Sequence, residues 1–162
     1  MIKDKRKSLT KALLYSYQSA FIKKTCCGNC CPPVRGLINA NRLAQDYDEK
    51  ILSIGFEHGF QAGDIFEWVN TGSYWLIYLQ SLTELAYFRG NIRRCDYTLS
   101  WLDEDNIVHK TYAAVRGPVE TKIDSANIHT TIIDSPNYSL NILMPNTDET
   151  KAYFERYSKF YL

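Results

Sequence analysis

The chain opens on a four-residue hydrophobic period and then changes to a two-residue one. Leu9, Leu13, Tyr17 and Phe21 recur every four residues, with Leu14 and Ala20 widening the stripe. Taking Ser8 as an N-cap, this spacing predicts an amphipathic helix over Ser8–Ile22. Thr25–Gly36 then interrupts regular structure, placing four cysteines within six residues ahead of Pro32-Pro33 and Gly36. Asn39–Lys50 reads as a short polar helix or an extended run. From Ile51 onward Leu52, Ile54 and Phe56 alternate with Ser53, Gly55 and Glu57, the pattern of a half-buried strand.

Further strands are expected at Ile65–Val69, Tyr74–Gln80, Leu85–Arg93, Cys95–Leu102, Ile107–Val115, Val119–Ile123, Ile128–Ile133 and Tyr138–Met144. Asn70-Thr71-Gly72-Ser73 has the composition of a hairpin turn, and Asp103-Glu104-Asp105-Asn106 that of another. Tyr74–Gln80 is apolar on both faces, which marks a central strand and more apolar surface than a body of this size covers alone. Asn146 with Glu149 three residues on resembles a capping box, opening a helix to about Tyr157. The pattern predicts a mainly β protein: a small β-barrel or sandwich with an N-terminal helical arm and a C-terminal helix. Three parts are expected: a basic amphipathic arm over 1–24, a Cys/Pro-rich linker and docking segment over 25–50, and a barrel-like body with its terminal helix over 51–162.

Charge and composition sharpen this picture. The 162 residues carry a net charge of +1, but residues 1–24 hold seven basic side chains against Asp4 alone, leaving the remainder at −5. The arm thus reads as a cationic, apolar-striped element for an acidic groove on another chain, with Leu9, Leu13, Tyr17 and Phe21 as its contact residues. Deleting Met1–Lys24 is expected to leave the body folded and to weaken assembly. Near-neutral net charge gives no global field for nucleic acid or an anionic membrane. No apolar run reaches the roughly 20 residues of a membrane span, and Tyr15–Ser19 breaks the only segment that follows a basic start, so a reducing cytosol is expected. Twelve Tyr, seven Phe and three Trp favour a β-rich core or broad contact surfaces.

Candidate chemistry is sparse. Cys27 and Cys30 have the C-x₂-C spacing of a zinc half-site, with Gly28 to turn the chain between them. A complete site needs four ligands, and only Cys95, His58, His109 and His129 lie outside the run, so the expectation is no metal and no cofactor. Each histidine reads as a strand or turn residue rather than a base. Asp64/Glu67 and Asp103/Asp105 are carboxylate pairs, the latter in a solvated turn. No phosphate-binding glycine loop or nucleophile elbow is present, so no catalytic residue is expected. Arg89 and Arg93 share a face beside Tyr87-Phe88, an arrangement an OB-like nucleic-acid-binding module would use for phosphates and stacked bases. Pairing with Asp96, Glu84 or other carboxylates is the competing reading.

The segments Gly63–Trp68, Tyr74–Gln80 and Ala86–Tyr97, with Gly117–Ile123 and Arg156–Tyr161, resemble virion structural proteins of tailed bacteriophages, nearest the head-closure or head–tail connector (neck) class. The resemblance implies a non-enzymatic subunit that forms a homo-oligomeric ring in the virion, assembled in the bacterial cytoplasm. Portal or adaptor proteins would lie on one side and tail proteins on the other, with DNA passing through without sequence-specific contact and no membrane involved. It also implies that the terminal aromatics Tyr153, Phe154 and Tyr157 serve assembly.

Overall fold

A computed structural model describes residues 2–25, 32–42, 47–103, 105–116, 141–145, 147–148 and 150–151. Helix α1 (Ile2–Tyr15) is followed by β1 (Ser19–Lys24), β2 (Val34–Ala40) and β3 (Glu49–Ile54). After a 3₁₀ turn at Phe56–His58 come β4 (Ile65–Trp68), β5 (Ser73–Gln80) and β6 (Phe88–Cys95). Strands β7 (Tyr97–Leu102), β8 (Val108–Arg116) and β9 (Asn141–Leu143) complete the order. The first six strands close into an antiparallel barrel in the order β1-β2-β3-β6-β5-β4, and β7-β8-β9 form a separate sheet. The expected small β-barrel with an N-terminal helix is the fold.

Alternation decides what the barrel encloses. Ile22, Leu52, Ile54, Phe66, Ile77, Phe88 and Ile92 are completely or almost completely buried, and with Trp75, Ile38 and Phe60 they fill the interior. A barrel of about this strand number has an interior just wide enough for side chains. Gly36 is part of that economy, because a Cβ there would meet Leu52 Cδ1 at 3.0 Å and Ile22 Cδ1 at 3.1 Å. Burying each large side chain contributes about 1.5–3 kcal/mol, so the lumen is the main source of stability.

Two expectations change at the N-terminus. The helix is α1 (Ile2–Tyr15), not Ser8–Ile22, and Ala20 and Ile22 are interior positions of a barrel strand. The last helical bond runs from Ser16 N–H to the Ala12 carbonyl at 2.9 Å. The Leu13 carbonyl is then taken by the Ser19 hydroxyl at 2.7 Å and by Arg35 Nη1 at 3.4 Å. A four-residue spacing is also a multiple of two, so Tyr17 and Phe21 fit a helix stripe and a strand face equally well. Likewise β2 lies inside the stretch expected to be linker: two prolines precede a strand without interrupting its ladder. The barrel thus takes two of its six staves from residues 1–50, and removing Met1–Lys24 would open it.

The double-sided apolar character of Tyr74–Gln80 also has an internal explanation. Trp75 and Ile77 point into the barrel, while β8 packs over the outside of β5 and β6 and Leu76 is left 2% exposed. The second sheet of the same chain covers the face expected to need a partner. Near the described C-terminal end, a helical turn begins at Thr147. The Thr147 N–H donates to Thr150 Oγ1 at 2.9 Å, and the Thr150 N–H donates back to Thr147 Oγ1 at 3.2 Å. That reciprocal pair is a capping box in the Thr-x-x-Thr form. The expected pair Asn146 and Glu149 lies outside the described residues, as do the expected strands Val119–Ile123 and Ile128–Ile133.

Candidate interaction surfaces

Three regions of the outer surface combine polar or charged groups with a defined geometry, and each is held by a different part of the fold. The first lies where β8 covers the barrel. Outward positions of β3, β5 and β6 bring Glu49, Tyr78, Asn91 and Arg93 together, with Asn41 beside them. Arg93 Nη1 stands 3.9 Å from Glu49 Oε2, with side chains only 7% and 12% exposed. Glu49 Oε1 accepts from the Tyr78 hydroxyl and from Asn41 Nδ2 at 2.9 Å, and Asn91 Nδ2 reaches the Tyr78 oxygen at 3.4 Å. Burial first, and then the bond to Glu49, push the Tyr78 hydroxyl above its ordinary pKa, against the opposing bond from Asn91. The group is a hydrogen-bonded ion-pair network largely shielded from solvent. Arg93 is therefore buried against Glu49 rather than presented to phosphates, whereas Arg89 is exposed.

The second region is α1 and the barrel wall beneath it. Leu9 is the buried anchor, and the helix packs on β1 and β2. A cavity of about 510 Å³ beside it is lined by Lys5, Ser8, Leu9, Leu37, Asn39 and Ser53 among others. Lys5 Nζ pairs with Glu84 at 3.2 Å, and Arg6 Nε donates to the Ala86 carbonyl at 3.0 Å. Desolvation pushes the Glu84 carboxyl up, but the Ala86 N–H and the Lys5 ammonium outweigh it and hold the group below the usual carboxylate range.

The four stripe residues expected to dock together are separated by the fold. Leu9 is buried in this chain and Leu13 is half-buried, while Tyr17 is 94% exposed in the turn after α1. Phe21 is partly exposed on β1, under the Arg35 guanidinium at 5.1 Å from its ring centre. Tyr153, Phe154 and Tyr157 lie outside the described residues.

The third region is the free end of the β7–β8 hairpin. Asp103 organises it: its Oδ1 accepts from the Asp105 and Ile107 N–H groups at 2.9 and 2.8 Å, and Asn106 takes the left-handed conformation at φ 59°. His109 Nε2 meets Asp103 Oδ2 at 2.8 Å and its ring stacks on Trp101. The bond from His109, joined by that from Ile107, holds the Asp103 carboxyl below the usual range. Around this polar turn Leu102 and Val108 are partners across the ladder, and with Ile107 they are 50%, 57% and 56% exposed. Sequence reading placed an acidic turn and a hydrogen-bonded strand histidine here. It missed the exposed apolar rim, whose signal is the Leu-Asp-Glu-Asp-Asn-Ile-Val run itself.

Other candidates resolve into structural roles. Asp64 pairs with Lys24 at 2.7 Å and its Oδ2 accepts the Gln61 N–H at 2.8 Å, so it fixes a loop. Burial first, and then Asp96, push the Cys95 thiol up to about 12, so it is protonated at neutral pH. Among the described residues no three His, Cys, Asp or Glu side chains form a metal-binding group. Cys27, Cys30 and His129 lie outside those residues. No described helix is long and apolar enough to cross a membrane. Comparison with protein-family models, with curated proteins and with solved structures returned no match, so the geometry of these surfaces and the sequence resemblance carry the functional reading.

Proposed function

We propose that this chain is a non-enzymatic structural subunit of a tailed-phage head–tail connector, working as a closed ring in the neck between portal and tail. The observation that supports this reading is the distribution of exposed apolar surface. The barrel lumen is packed with side chains, and large exposed hydrophobics are spread over the outer surface: Leu14 and Tyr15 on α1 with Tyr17 just after it, Tyr47, Leu82 and Leu85 on barrel loops, and Leu102, Ile107 and Val108 at the hairpin end. A subunit that works by assembly needs apolar patches on its periphery. The resemblance supplies the neck as the setting.

The direct test is native mass measurement of the purified chain, alone and coexpressed with portal-side and tail-side neighbours. A ring of many copies bound coaxially to its neighbours is the expected species. A chain that stays monomeric at micromolar concentration with those partners, and that turns over a small substrate, would overturn the proposal. Salt-sensitive binding of duplex DNA by the isolated chain would favour the OB-like nucleic-acid reading instead. In the proposed role the chain takes no metal. Zinc near one ion per chain by elemental analysis, lost on Cys27→Ser, would reverse that part.

A further inference from the structure

The solvent face of α1 is built in a way its own fold does not reward. Lys3, Lys7 and Lys11 follow one another at four-residue spacing and Leu14 comes three residues later, so all four stand on the side of the helix away from buried Leu9. Like charges at this spacing repel, and cations in the first turns oppose the positive end of the helix dipole. Lys5 and Arg6 are compensated by Glu84 and the Ala86 carbonyl. Lys3, Lys7 and Lys11 share their face of the helix with one carboxylate, Asp4 in the first turn, so the row keeps a net positive charge. Leu14 is left 56% exposed beside them. The row of cations runs about 12 Å along the helix, at 1.5 Å per residue.

The end of the β7–β8 hairpin is its chemical counterpart. Asp103 and Asp105 sit between Leu102 and the pair Ile107 and Val108, all three apolar side chains half exposed. Within one molecule the two surfaces are attached to different strands of the barrel. Helix α1 packs on β1 and β2, the second sheet on β5 and β6, and in the closed ring of six strands β2 stands opposite β5 and β1 opposite β6. Complementary but different surfaces on one subunit associate head to tail, and such a contact closes into a ring when the rotation between copies permits.

We infer that the acidic, apolar-rimmed end of the β7–β8 hairpin of one copy docks on the Lys3–Lys7–Lys11–Leu14 face of the next copy. The inference rests on reading the chain as a ring subunit and names the contact that would close the ring. Leu14 would insert among Leu102, Ile107 and Val108, while the lysines pair with the hairpin carboxylates. Desolvated charge pairs around an apolar centre set register as well as affinity.

The test uses the full chain in sedimentation velocity across concentration and salt, with thermal unfolding as the folding control. Wild type should self-associate, and more weakly as salt rises. Lys7→Glu/Lys11→Glu and, separately, Asp105→Lys should each weaken association by about tenfold or more, without lowering the unfolding midpoint. Combining the three substitutions should recover most of the loss, because the charges are then exchanged rather than removed. If the double reversal destabilises α1, Lys7→Gln/Lys11→Gln gives a gentler loss on the same face. Unchanged assembly in both single-surface variants, or no recovery on combination, would overturn this contact while leaving the ring intact. A wild type monomeric at every concentration would overturn both the contact and the ring. Binding of duplex DNA or anionic vesicles through the lysine row, without self-association, would also overturn the contact.

Discussion

Glu49 and Arg93 show how much the environment adds to residue identity. Alternation alone put Arg89 and Arg93 on one face, but in the fold Arg93 is buried beside Glu49 while Arg89 is exposed. Breaking a buried pair costs more than the pair contributes, because the remaining charge stays desolvated. Glu49→Ala should therefore destabilise by about 3 kcal/mol in urea unfolding, and Glu49→Met/Arg93→Met by less than the two single changes summed. Asp103 gives a prediction in pH. Its folded pKa lies below the unfolded value of about 3.9, so its contribution is complete above that value and disappears as pH falls through the lower folded one. The stability gap between wild type and Asp103→Asn should close in the acid range below about pH 4. A gap that persists at pH 2 would show that Asp103 acts through shape alone. Tyr74 is the alkaline counterpart. A bond with Tyr112, then burial, raises it to about 12, and the two rings stack at 3.8 Å. Stability from this pair is complete below the ordinary tyrosine value near 10 and declines as pH rises through 12. Tyr112→Phe should bring one tyrosine in an ultraviolet titration back toward 10.

Among the elements, α1 and β1 are the instructive pair. One stripe of hydrophobics crosses both, yet they belong to different structures: the helix lies outside the barrel, and the strand is one of its staves. A truncation ending at Tyr15 should keep a cooperative unfolding transition at reduced stability, losing about 2 kcal/mol of burial from Leu9. One extending through Lys24 removes Ala20 and Ile22 and both ladders of β1, and should abolish the transition. Strand β6 carries a second element-scale prediction. The β5–β6 ladder shifts register between Ile77 and Leu79, and a Cβ at Gly90 would lie 3.0 Å from the Leu79 carbonyl oxygen and from the Phe88 ring. The obstruction includes backbone, which cannot rotate away, so Gly90→Ala should cost about 1–3 kcal/mol. Gly36→Ala meets only side-chain tips and should cost less.

For the whole molecule, closure of the barrel is the organising event. Once the six strands close, only the ends and the outer wall remain, and the chain uses that wall twice, for α1 on β1 and β2 and for the second sheet on β5 and β6. This separation is why the proposed ring contact involves both attachments and why either alone is insufficient. The chain lacking residues 1–15 should retain the near-ultraviolet dichroism of the Trp68–Trp75 pair, whose ring centres are 5.9 Å apart, and sediment as a monomer where wild type assembles. Loss of that dichroism would place α1 in the fold itself rather than in assembly.

The sequence by itself determined the β character, the hairpin turns at Asn70–Ser73 and Asp103–Asn106, and the concentration of positive charge at the start. These are local properties: period-two alternation, turn-forming side chains and charge count are all readable within a few residues. Tertiary structure alone decided that Ser19–Lys24 is a stave, that Arg93 is buried, that β8 packs against β5 and β6, and that α1 packs on β1 and β2. Each depends on which distant segment lies alongside. A four-residue spacing satisfies two periodicities at once, and an arginine looks the same in sequence whether water or a second sheet lies above it.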